Sequence, residues 1–184
     1  MNVLCFGDSN TYGYDPRSLL GGRYPKESRW VDILAQKTGW EIINQGENGR
    51  CIPDAPCSFP MHTDLVILML GTNDLIKTGG SPDKAAWKME RFLSRPTLSG
   101  HQIMLIAPPP VVIYDEWTEE PCGPDKIIDD FAVLAAHYQA LAKQRGFRFA
   151  DAGKWQVELA FDGVHFTEQG HRTFAEKLYE ELTR

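Results

Sequence analysis

Four short stretches hold the side chains whose types and spacing could do chemistry. The first, Gly7-Asp8-Ser9-Asn10-Thr11-Tyr12-Gly13, follows an apolar run directly, so it presents a hydroxyl where a buried strand would end and the backbone must turn. A serine hydroxyl is a weak nucleophile until a neighbouring base takes its proton, and that base needs an acid to fix its tautomer. Of His62, His101, His137, His165 and His171, only His165 sits in a loop just behind a carboxylate and a glycine, in Asp162-Gly163-Val164-His165-Phe166. With Asp162 in a turn, its carboxylate reaches Nδ1 of His165 and leaves Nε2 to serve Ser9. His137 and His171 fall in helical patterns and read as solvated or packed. Acyl transfer by such a serine further requires donors for the oxyanion of the tetrahedral intermediate. Gly46-Glu47-Asn48-Gly49 offers a backbone N–H brought close by a glycine, and Gly71-Thr72-Asn73-Asp74 offers the Asn73 side-chain amide. Taken singly, each stretch reads equally as a turn or a helix lead-in.

Strands alternating with helices must position them. The apolar runs Val3 to Phe6, Ile42 to Asn44, Leu65 to Leu70, Ile103 to Ala107 and Phe147 to Ala150 predict buried strands. Helical spacing marks Trp30, Ile33 and Leu34, then Ala85, Met89, Phe92 and Leu93 behind an opening Ser81-Pro82. It marks a third helix from Ile127 through Phe131, Leu134, Tyr138 and Leu141 to a stop at Gly146, and a fourth that Thr167 caps and Phe174, Leu178 and Leu182 line. Each parallel return needs a crossover, normally helical and right-handed, so the pattern predicts one three-layer α/β/α domain over residues 1–184 with about five parallel strands. Ligands of such sheets sit beyond the carboxyl ends of the strands, which is where all four stretches fall.

In that order, the stretches resemble the SGNH, or GDSL-type, esterases and lipases. The serine block corresponds to Phe6-Gly7-Asp8-Ser9, the glycine block to Asn44 through Gly49, the asparagine block to Gly71-Thr72-Asn73-Asp74 and the Asp-x-x-His block to Asp162 through His165. The resemblance implies a flavodoxin-like sandwich, Ser9 as nucleophile, Asp162 and His165 as its partners, and an oxyanion hole of the Ser9 N–H, the Gly49 N–H and the Asn73 side chain. Gly49 is preferred to Gly46 because the family's functional glycine falls late in its block. Asn10 stands where the literal G-D-S-L string has leucine, a position with no assigned catalytic role. The implied protein is a serine esterase that uses neither cofactor nor metal.

Composition narrows the partners. The 184 residues carry 19 Lys and Arg against 25 Asp and Glu, a formal charge of −6, with no basic run to contact phosphates, which argues against nucleic acid and anionic membranes. Met1 passes into Ser9 without a leader pattern, so the expected location is cytoplasmic. The four cysteines, at 5, 51, 57 and 122, form neither a C-x-x-C pair nor a secreted framework and read as reduced thiols. Cys51 or Cys122 attacking through a histidine would make a cysteine hydrolase, yet Cys122 lies among five acids and no bases in residues 114–125. No paired histidine spacing suggests a metal hydrolase. From a different class, the chain could be a silent carbohydrate- or partner-binding module of the same fold. Asp8, Tyr12 and Trp117 are the candidates for substrate contact, with Tyr14 and Tyr114 nearby in sequence. The long segment 108–124 borders either the pocket or a homo-oligomer contact, and its acids favour small neutral esters such as acetylated sugars or aryl esters over acyl-CoA.

Overall fold

Successive side chains of a strand point to opposite faces of its sheet, so a strand covered on both sides must be apolar at every position. The three inner strands obey that rule beyond their first residue, β1 (Asn2–Gly7), β3 (Leu65–Met69) and β4 (Gln102–Ala107), whereas the edge strands β2 (Glu41–Gly46) and β5 (Arg148–Asp151) carry exposed polar residues. The computed structural model describes residues 1–18, 20–55, 57–60, 62–77, 79–112 and 124–184, with 124–126 as backbone only. In it the five strands form one parallel sheet in the order β2-β1-β3-β4-β5. All five expected strands are present, within two residues of the boundaries that hydropathy predicts.

On one face Leu4, Phe6, Val66, Leu68 and Leu105 pack beneath Met89 and Phe92 of α4 (Pro82–Leu93) and Phe131, Leu134 and Tyr138 of α5 (Pro124–Arg145). On the other, Val3, Cys5, Ile67, Met69 and Ile106 meet Trp30 and Leu34 of α2 (Trp30–Thr38) and Phe174 and Leu178 of α6 (Glu168–Thr183). The result is the expected three-layer α/β/α sandwich. The Ser81 side chain caps α4 on the Lys84 N–H ahead of Pro82, and the Thr167 side chain caps α6 on the Gly170 N–H. Among the described residues no helix is long and apolar enough to cross a membrane.

Two short helices were not expected. Residues Ser9–Tyr12 form α1 and Thr72–Ile76 form α3, directly after β1 and β3, where hydropathy predicts only loops. Four or five largely polar residues make a single turn, which leaves no amphipathic period to read. Strand order reverses at β1 and β3, since the chain leaves β1 toward β2 and leaves β3 toward β4. The crevice that such a reversal opens at the carboxyl edge therefore lies between the two helices that periodicity misses. Tyr114, Trp117 and Cys122, with most of the segment 108–124, lie outside the described residues.

Candidate active site

Strand register aligns the pieces. Gly7 pairs with Gly46 on one side and Met69 on the other, so β1, β2 and β3 end level and their following loops meet. Asp8 then turns the chain into α1, its carboxylate accepting the Asn10 N–H at 3.0 Å, and Ser9 becomes the first helical residue. Ser9 is 7% exposed, covered except along the crevice. Its Oγ lies 3.0 Å from Nε2 of His165, and Nδ1 of the same ring lies 2.6 Å from Oδ2 of Asp162. In the tautomer with its proton on Nδ1, His165 donates to Asp162 and accepts from the Ser9 hydroxyl. The other Asp162 oxygen accepts the N–H groups of Val164 and His165, both at 3.0 Å, which folds the Asp-x-x-His turn around its own carboxylate. Burial pushes the Asp162 carboxyl up, but the His165 ring and these amides outweigh it and hold the group below the usual carboxylate range.

The two glycines of the second loop are glycines for different reasons. A Cβ on Gly46 would stand 2.1 Å from the Tyr12 nitrogen, so the end of β2 can lie against α1 only if residue 46 has no side chain. Gly49 has φ +70°, a left-handed turn conformation, and nothing crowds it. The loop is stapled on both sides. The Arg50 guanidinium donates to the Gly7 and Gln45 carbonyls while lying 4.2 Å over the Phe6 ring, and the buried Asp74 carboxylate accepts the Ile52 N–H at 2.9 Å. Asn73, on α3, donates one Nδ2 hydrogen to the Arg50 carbonyl at 3.1 Å, which fixes the amide and leaves its second hydrogen to another acceptor. Arg50 and Asp74 carry no signal in the sequence for this role, because their partners lie on other loops.

Of the residues expected to contact substrate, Asp8 is 1% exposed and its carboxylate caps α1; burial pushes that carboxyl up to about 6. Tyr12 carries the Arg23 guanidinium 4.4 Å over its ring. It is Tyr14 whose ring packs on His165, with centroids 4.5 Å apart. Phe161, which precedes Asp162, is 71% exposed. A cavity of about 170 Å³ opens beside Asn73, lined by Cys51, Asp74, Lys77, Lys84 and Lys88 among others. Cys51 lies 3.0 Å from the Lys77 ammonium, while Cys5 is buried within β1, where burial pushes its thiol far up. Neither thiol contacts a histidine among the described residues, where no cluster of metal-ligating side chains occurs either.

A parallel sheet of this order, with its polar groups gathered where β1 and β3 part, places the molecule in the class of three-layer α/β proteins whose ligands bind at the carboxyl edge of the sheet. Within that class the chain belongs to the GDSL-like lipase/acylhydrolase family, whose sequence model matches residues 5–173. Among solved structures it is similar to a carbohydrate acetylesterase from Sinorhizobium meliloti, at 28% identity and a TM-score of 0.83 over 99% of this chain and 98% of that one. It is likewise similar to a provisionally assigned arylesterase from Agrobacterium tumefaciens, at 32% identity, TM-score 0.78 and coverage of 99% and 98%. The aryl esterase of M. smegmatis aligns at 27% identity, TM-score 0.77 and the same coverage. No curated protein matches the chain.

Proposed function

We propose that the chain hydrolyses small esters with short acyl groups through an acyl-enzyme on Ser9. The hydrogen-bonded line from Ser9 Oγ through the His165 ring to Asp162 carries this reading. His165 Nε2 takes the hydroxyl proton as Ser9 attacks the carbonyl carbon, and Asp162 stabilises the imidazolium that forms. Charge developing on the carbonyl oxygen is met by the Ser9 and Gly49 N–H groups and by the uncommitted Asn73 hydrogen. The imidazolium then protonates the leaving alcohol, and a water molecule, deprotonated by the same nitrogen, releases the acid. The small cavity beside Asn73 suits a short acyl chain, and the exposed Phe161 and the Tyr14 ring offer apolar surface to an aryl or sugar alcohol. Relatives named for acetylated carbohydrates and aryl esters support the same substrate range.

The test is turnover of p-nitrophenyl esters from acetyl to octanoyl by wild type and Ser9→Ala, with intact-mass detection of a serine-reactive phosphonate adduct. We expect acetyl to be preferred, and both turnover and adduct to disappear in Ser9→Ala. A folded wild type with neither would return the chain to the silent-module reading. One observation favours a second view of substrate charge. Lys77, Lys84 and Lys88 line the cavity beside Asn73; among the described residues Lys88 is ion-paired, to Asp74 at 3.4 Å and Asp54 at 3.8 Å, whereas Lys77 and Lys84 donate to uncharged partners, the Gly49 carbonyl and Cys51 sulfur and the Gly79 carbonyl. An ester whose acyl part ends in a carboxylate would meet positive charge at that point. Faster turnover of a mono-p-nitrophenyl dicarboxylate than of the acetate, fading with added salt, would select this view; equal or slower turnover selects neutral esters.

A further inference from the structure

We propose that Asn10 is a positioning residue of this site: its side-chain amide clamps the backbone on both sides of His165 and so sets the imidazole against Ser9. The proposal rests on the reading of Ser9, His165 and Asp162 given above. Asn10 follows the serine in α1 and is itself held, since its carbonyl accepts the Trp30 indole N–H at 2.9 Å and its N–H is the one capped by Asp8. It is 4% exposed. From there Nδ2 donates to the Val164 carbonyl at 3.1 Å and Oδ1 accepts the Phe166 N–H at 2.9 Å, across 154 and 156 residues of sequence.

The geometry gives these two bonds a specific duty. A carbonyl at one residue and an N–H two residues on point to the same edge of an extended backbone, and the residue between them turns its own polar groups to the opposite edge. His165 does so: its N–H goes to Asp162 Oδ1 and its carbonyl accepts the Ala160 N–H at 2.7 Å. That edge is satisfied inside the turn and ties His165 to Asp162, but it says nothing about where Ser9 lies. The facing edge is satisfied by Asn10. Among the described residues, the hydrogen bonds between α1 and the loop 162–166 are the two from Asn10 and the Ser9 to His165 contact itself. An amide, with one donor arm and one acceptor arm, reads both backbone groups at once. The leucine of the literal motif reads neither, and would leave the Phe166 N–H buried without its partner.

The experiment compares wild type, Ser9→Ala, Asn10→Leu, the isosteric Asn10→Asp and a control, Leu182→Ala, which removes core packing at the far end of α6. Each is assayed on p-nitrophenyl acetate well below its own melting midpoint. Small misplacement of a reacting group costs up to about a hundredfold in rate, so both Asn10 variants should lose about tenfold to a hundredfold in kcat. KM should stay within about twofold, because bound ester and bound transition state are affected unequally. Phosphonate labelling should slow in step with kcat, while Leu182→Ala melts earlier yet keeps its kcat. Asn10→Asp retains the acceptor for Phe166 and loses only the donor for Val164, so it decides the matter if Asn10→Leu does not fold. A folded Asn10 variant with kcat within about threefold of wild type, or with only KM raised, overturns the clamp. Wild-type turnover by Ser9→Ala would overturn the reading beneath it, whereas an inert Ser9→Ala beside a fully active Asn10→Asp overturns the clamp alone.

Discussion

Asp8 carries its stability cost at the point of chemistry. Among the described residues no hydrogen-bond partner stands at its Oδ2, and burial outweighs the Asn10 N–H and the nearby Thr72 hydroxyl to raise the carboxyl from its ordinary value to about 6. A carboxyl raised on folding stabilises the fold fully below its unfolded pKa, near 4, and loses that contribution as pH rises through 6. An asparagine at position 8 can still accept the Asn10 N–H and never ionises. Asp8→Asn should therefore raise unfolding free energy at pH 7 by up to roughly 3 kcal/mol, a gain that vanishes at pH 4; melting curves across that range check it. Residue type and spacing singled out Ser9, Asp162 and His165 as candidates, the family resemblance joined them into one site, and the structure brings the three side chains together. Asn10 was not legible, since both its partners lie more than 150 residues away and only the fold brings them near.

At the scale of elements, legibility followed length. The five strands and the four longer helices each repeat an apolar period and could be read from it; α1 and α3, the two elements that carry Ser9 and Asn73, are too short to have one. They are held by neighbours instead. The Phe174 ring of α6 packs at a tilt on Trp30 and edge-on to Trp155, with centroids 4.9 and 5.0 Å away, and lies 5.4 Å from Phe166, the residue that Asn10 grips beside His165. Cutting so large a buried ring to a methyl group costs about 3–5 kcal/mol. Phe174→Ala should lose that much by denaturant titration, and its activity should fail on warming before its helical signal does, because the packing lost adjoins the 162–166 loop.

Over the whole molecule, two buried groups pull against each other. His171 is fully covered by α2, with Trp30 N–H 3.4 Å from Nδ1 and the rings of Phe166 and Tyr24 against it, and burial lowers its pKa to about 3. A base lowered on folding contributes stability above its unfolded pKa of 6.5 and loses it as pH falls toward 3, at about 1.4 kcal/mol per pH unit. Between pH 6 and 4 the gain from protonating Asp8 offsets that loss, so the wild type should hold nearly constant stability there. Below pH 4 the offset ends, and Asp15, Asp162 and Glu168, all held below their ordinary values, add to the decline. Asp8→Asn should expose the slope of His171 from pH 6 downward, which unfolding titrations at stepped pH would reveal.

Ser9 and His165 stand 156 residues apart along the chain. Synthesis reaches Ser9 well before His165, so over the stretch between them a nascent polypeptide bears the hydroxyl without the imidazole that lies against it in the fold. On the function proposed above, esterase chemistry is withheld until both residues have been made and the 162–166 loop has closed over α1.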